Sequence, residues 1–181
     1  MIKLFDSSSS LKRDFFINLI KRTLYTVLPD KDAQTLVIMP DNSFKEIFNR
    51  FSNVDFFLLK EISENISFYR QVIIFLCAEE VDSPRDFLLN ILKKLNKDTK
   101  MILVSVNPES KWKKICDSEK KNFLSRDILL SICRSKLDII RGALYIDAET
   151  KDEGFTFKND ARFRKEGVPA IFFSKWSVEE D

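Results

Sequence analysis

Three short, unbroken apolar runs restrict this chain more than any other feature: 35–39 (TLVIM), 71–77 (QVIIFLC) and 101–106 (MILVSV). Runs of this length, rich in β-branched residues, read as strands buried on both faces. Between them the spacing changes to that of helices. Over 10–27, Leu11, Phe15, Phe16, Leu19, Ile20 and Leu24 recur every three or four residues, so one helix face is apolar. Ser83-Pro84 opens a second helix with a Ser cap and Pro at the first helical position, and Phe87, Leu88, Ile91, Leu92 and Leu95 form its stripe.

Weaker signals complete the order. Residues 44–51 (FKEIFNRF) predict about two turns of helix after a turn at Pro40-Asp41-Asn42-Ser43, with Asn42 or Ser43 able to cap it, and 54–59 (VDFFLL) predicts another strand. Ser125 is placed to cap a helix bearing Ile128, Leu129, Ile132 and Cys133. Residues 137–146 read as an extended segment interrupted at Arg141-Gly142, and 168–176 as a final strand. Strands alternating with helices give right-handed crossovers and a largely parallel sheet covered on both faces. The last two strands, with no long helix between them, predict an antiparallel hairpin at one edge. The expected fold is therefore α/β and Rossmann-like, a doubly wound, mostly parallel sheet with an antiparallel C-terminal edge. Residues 1–181 are read as one domain, with 1–10 and 177–181 as flexible ends.

Composition narrows the chemistry. The chain has no His, which excludes Ser–His and Cys–His nucleophile pairs and removes the commonest general base. Cys77, Cys116 and Cys133 are odd in number and lack CxxC spacing, which argues against zinc and for a reducing compartment. The cytoplasm is the expected location, since no apolar run approaches the roughly 20 residues that cross a bilayer and the polar start is unlike a secretory signal. A net charge of +2 implies no global pull toward nucleic acid or membrane.

The order of elements resembles the class I S-adenosylmethionine-dependent methyltransferases. YRQVIIFLCAEEVDSPRDFLLNILKKLNKDTKMILVSVNP is similar to that family's fourth strand, the loop after it, an Asp-Pro-type helix start and the fifth strand. KKNFLSRDILLSICRSKLDIIRGALY resembles the following helix and sixth strand, and KRDFFINLIKRTLYTVLPDKDAQTLVIMP the leading helix and first strand. Two departures fall where the cofactor should sit. The family's first strand runs into a GxGxG turn, whose glycines let backbone approach the ligand; here the turn is Pro40-Asp41-Asn42-Ser43, and no glycine precedes Gly142. The family also fits two strands and a helix before its fourth strand, whereas only 52–70 are available here, so one βα unit is reduced or missing.

The resemblance implies where a retained cofactor site would lie. Asp41, Asn42 and Ser43 would meet the methionine part, Glu61 would replace the acidic ribose ligand, and Glu79 and Glu80 would lie near the methyl group. The same residues have plainer readings, as an Asx turn with a helix cap and as a solvated acidic loop. Lys111, Trp112, Lys113 and Lys114, with Lys120 and Lys121, form a basic loop that could cover a substrate, bind single-stranded nucleic acid with Trp112 stacking on a base, or be solvated with Trp112 packed back on the core. No residue set reads as catalytic or metal-binding, and the three cysteines read as inert packing residues. The leading expectation is a degenerate domain that binds no S-adenosylmethionine in the usual way and acts as a binding or scaffold partner, to another protein or to its own copies. An active methyltransferase with a minimised cofactor site is the alternative, and a phosphate or nucleic-acid module the third.

Overall fold

The computed structural model describes residues 10–28, 30–62, 66–109, 122–132, 137–145 and 169–177. Six strands form one sheet: β1 (Thr35–Met39), β2 (Val54–Leu58), β3 (Gln71–Phe75), β4 (Lys100–Val106), β5 (Leu137–Tyr145) and β6 (Pro169–Ser177). Their order is β2-β1-β3-β4-β6-β5. The first four are parallel, and β6 runs antiparallel to both β4 and β5. Three α-helices accompany them: α1 (Ser10–Val27), α2 (Pro84–Leu92) and α3 (Arg126–Ile132).

The unbroken apolar runs become central strands because both faces of the sheet are covered. Val37, Met39, Ile73, Phe75, Ile102, Val104 and Val106 meet Phe16, Ile20 and Leu24 of α1 on one face. Leu36, Ile38, Val72, Ile74, Met101 and Leu103 meet Leu88 and Ile91 of α2 and Leu129 of α3 on the other. Alternate residues serve alternate layers, as a pleated strand requires. Part of the chain's phenylalanine content is concentrated in the first layer. Phe48 lies 5.7 Å from Phe75, edge to face, and 6.0 Å from Phe56, while Phe44 lies 5.5 Å from Phe75 and 5.9 Å from Phe16. Aromatic contacts of this geometry add to the burial of the rings themselves.

The chain winds outward from β1 to β2 and then returns past β1 to β3, which puts the reversal of strand order between β1 and β3. The sheet ends at β2, where the resemblance would place a further strand; among the described residues none pairs with the outer edge. Backbone polarity fixes which groups face outward. Thr35 N–H donates to Asn53 O, so the odd-numbered residues of β2 point at β1. Val54, Phe56 and Leu58 then point away, and Leu58 N–H donates to the Glu61 carboxylate instead of to a strand. Along β2 Asp55 is exposed and the other side chains are only half-buried, unlike those of β1 and β3.

Several local expectations are corrected. Residues 42–48 form a 3₁₀ helix, not an α-helix. Pro84 does begin α2, but the Ser83 hydroxyl donates to the Asp86 carboxylate at 2.6 Å and accepts no bond from the helix start. Ser125 does cap α3, accepting from Ile128 N–H at 3.2 Å. The expected break at Arg141-Gly142 is absent: both residues pair with β6, and the irregularity falls between Leu137 and Ile139. A continuous partner strand supplies the ladder that holds Gly142 extended despite its conformational freedom. No helix among the described residues is long and apolar enough to cross a membrane.

Candidate functional site

The carboxyl ends of β1, β3 and β4 meet at the reversal of strand order, where open α/β sheets bind ligands. The turn after β1 is built by Asp41. Its extended backbone lets the carboxylate accept from Ser43 N–H at 2.7 Å, which starts the 3₁₀ helix Asn42–Phe48. Cap chemistry of this kind uses a short acidic side chain to satisfy an orphan backbone donor. Asn42 and Ser43 are exposed, and the next residue, Phe44, turns inward against Phe16 and Phe75. The helix is thus capped by Asp41, and not by Asn42 or Ser43 as the sequence pattern suggests.

The segment after β3 is tied to both neighbouring strands. Leu76 adopts a positive φ of 51°, in the left-handed region that a bulky side chain normally avoids. Its N–H donates to Val104 O at 2.9 Å, which joins it to β4. Cys77 Sγ–H lies 3.4 Å from Ile38 O of β1 and 3.5 Å from Phe75 O. Glu79, only 3% exposed, accepts from Val106 N–H at the end of β4. Three successive ties hold the strained backbone, as such a conformation requires. The solvated-loop reading of Glu79 is thus corrected: this carboxylate is buried and joined to β4, while Glu80 is half-buried beside it.

Electrostatics follow from that packing. Burial pushes the Cys77 thiol well above its ordinary value, and the carboxylates of Glu79, Glu80 and Asp41 push it further, against a smaller opposing effect of the Phe75 carbonyl. A thiol held protonated is a poor nucleophile, in agreement with the packing role expected for Cys77. Glu61 does not join these carboxylates through any contact described: it is exposed, and its carboxylate accepts from Leu58 N–H at 3.2 Å, capping the 3₁₀ turn Leu59–Glu61. Lys111, Trp112, Lys113 and Lys114, with Lys120, Lys121 and Cys116, lie outside the described residues, as does Cys133. Among the described residues no group of three or more His, Cys, Asp or Glu could hold a metal ion.

Two features here escaped sequence reading. Leu76 carries no glycine or asparagine signal for a left-handed turn. The bond from Glu79 to Val106 spans 27 residues, beyond the reach of local pattern.

No protein-family model matches the sequence, and no curated protein matches it. Solved structures do. A SAM-dependent methyltransferase of Thermotoga maritima superposes with a TM-score of 0.62 at 14% identity, over 94% of this chain and 93% of the other. A chain from the Haloferax volcanii complex between the methyltransferase activator Trm112 and a candidate methyltransferase gives 0.56 at 8% identity, over 95% of this chain and 96% of that one. The DszA carbon methyltransferase gives 0.55 at 9% identity, over 98% of this chain and 57% of its own. The chain has a class I methyltransferase-like fold.

Proposed function

We propose that this chain is a single degenerate methyltransferase-like domain that does not hold S-adenosylmethionine in the usual way and serves as a binding or scaffold partner of another protein. The turn after β1 carries the reading. Where the resemblance calls for a glycine turn open to the cofactor, Asp41 is spent on a helix cap and Phe44 fills the space beneath against Phe16 and Phe75. The tied Leu76–Glu79 segment adds side chains at the neighbouring strand end, and Glu61 is occupied as a cap. These residues do not fit the cofactor's ordinary cradle, so no methyl-transfer step is derived through them.

Support for a partner comes from β2. Its outer backbone edge has no partner strand among the described residues, and unpaired strand edges are what proteins ordinarily cover. A fold-mate from Haloferax volcanii was solved in a complex with a methyltransferase activator, an assembly of the kind proposed for this chain. The test of the cofactor claim is calorimetric titration with S-adenosylmethionine. No saturable heat is expected up to millimolar ligand, and a micromolar dissociation constant overturns the reading.

One observation favours the alternative of an active enzyme with a minimised site: buried Glu79 and half-buried Asp41 and Glu80 lie on the segments that follow β1 and β3, at the ligand-binding end of the sheet. That alternative needs Glu61 to exchange Leu58 for a ribose hydroxyl. Under it, Glu61→Ala abolishes cofactor binding; under the proposal there is no binding to abolish.

A further inference from the structure

A cavity of about 430 Å³ opens at the opposite end of the sheet, among the loops that enter β1, β3 and β4. We infer that this amino-end cavity is a binding site for a small zwitterion with an apolar side chain, the chemistry of a free α-amino acid. It is separate from the carboxyl-end region, and the inference stands whether or not that region binds a cofactor.

Its floor is Gln71, the first residue of β3, only 2% exposed. The Gln71 Nε2 donates to Asp30 O at 2.8 Å, which fixes the orientation of the amide. Its Oε1 then has no hydrogen-bond partner among the described residues. That oxygen is sealed from solvent, so Gln71 shapes the floor and its Oε1 does not itself face a ligand. Arg70 and Lys100 stand at the rim, and Asp98 beside them; none has an ion-pair partner among the described residues. The cations suit a carboxylate, and Asp98 suits an ammonium group.

An aromatic platform completes the site. Phe68 is 50% exposed, an unusual state for so large an apolar ring, and it stacks on buried Tyr69 at 4.2 Å between centroids. Phe68 lines the same cavity, so an apolar side chain on the ligand would cover its open face.

The walls are held in place independently of any ligand. Asn96 donates to Ser67 O at 2.7 Å, Thr99 to Tyr69 O at 2.9 Å, and Lys100 N–H to Arg70 O at 2.9 Å. These bonds join the β3-entry loop to the β4-entry loop. The walls are fixed and mostly polar, with Phe68 and Tyr69 as the aromatic part, which suits a small charged ligand carrying one apolar group.

The experiment titrates isotope-labelled full-length chain with L-phenylalanine and follows amide chemical shifts. Phenethylamine and hydrocinnamate, each retaining one of the two charges, are titrated in parallel. Saturable shifts at Phe68, Arg70, Gln71 and Lys100 are expected, with a millimolar dissociation constant typical of so small a ligand. Loss of either charge should weaken binding roughly tenfold, and so should Arg70→Ala, a change at an exposed residue that leaves the fold intact. Phe68→Ala should weaken it about fivefold. Absence of saturable shifts at these residues overturns the inference. So does equal binding of either single-charge analogue, or shifts confined to Asp41–Ser43 at the other end of the sheet.

Discussion

Glu79 allows the tie between the β3 loop and β4 to be weighed in isolation. Truncation to Ala removes three things: a negative charge, an acceptor for Val106 N–H, and a methylene group. The charge is the ambiguous part, because a buried carboxylate has a desolvation cost of its own and stands near Glu80 and Asp41. Gln keeps the acceptor and the shape while removing the charge, so the gap between Glu79→Ala and Glu79→Gln isolates the hydrogen bond. Val106 is fully buried, so its N–H finds no water after truncation. Leaving such a donor unsatisfied costs about 1–3 kcal/mol, and the lost methylene adds ~0.8 kcal/mol. Glu79→Ala should therefore be about 2–4 kcal/mol less stable than Glu79→Gln. In urea, with a slope near ~2 kcal/mol/M, the midpoints should differ by roughly 1–2 M. Circular dichroism at equilibrium measures this directly. Midpoints equal to within ~0.25 M, the behaviour of a solvated carboxylate, would refute the reasoning.

Other consequences follow from single residues. Leu76→Gly should be more stable than Leu76→Ala by about 0.5–1 kcal/mol, reversing the usual order, because the backbone sits at positive φ; thermal or urea unfolding of the pair decides it. Phe48→Ala should cost about 3–5 kcal/mol, since the ring is fully buried among Phe51, Phe56 and Phe75. Tyr69 donates its hydroxyl to Asp55, and burial, then that bond, pushes it from 10.0 up to about 12. Held protonated in the folded chain, it contributes in full below pH 10 and loses that contribution as pH rises to about 12. The stability gap between the natural chain and Tyr69→Phe should stay flat below that window and shrink across it. Cys77 should resist alkylation in the folded chain at mildly alkaline pH and react after unfolding in urea, as read by mass spectrometry of its peptide.

The legible parts of this fold were those set by local burial. Runs such as TLVIM and QVIIFLC announce strands covered on both faces, and the short interval between Phe51 and Gln71 announces a missing unit, which the sheet shows as an end at β2. The turn at 40–43 was legible for the same reason, but its cap is Asp41 and not Asn42 or Ser43, the residues the pattern suggests. Features decided at a distance were hidden. Ser83 looked like a helix cap, yet its hydroxyl goes to Asp86. Gly142 looked like a break, yet its neighbour in β6 holds it extended. Leu76 is forced into its conformation by ties to strands on either side. The amino-end cavity joins loops around positions 30, 68 and 98, which no periodicity links. At the candidate cofactor site, sequence supplied the right residues for the turn but misread Glu79, whose partner Val106 lies on another strand.

The central claim is that the carboxyl end of β1 and β3 is closed by the chain's own side chains. It is tested most directly by titrating labelled protein with S-adenosylhomocysteine and reading the amides of Asp41, Asn42, Ser43, Leu76 and Glu79. The account predicts that these signals stay in place up to millimolar ligand. Saturable movement of this group at micromolar concentration would contradict it.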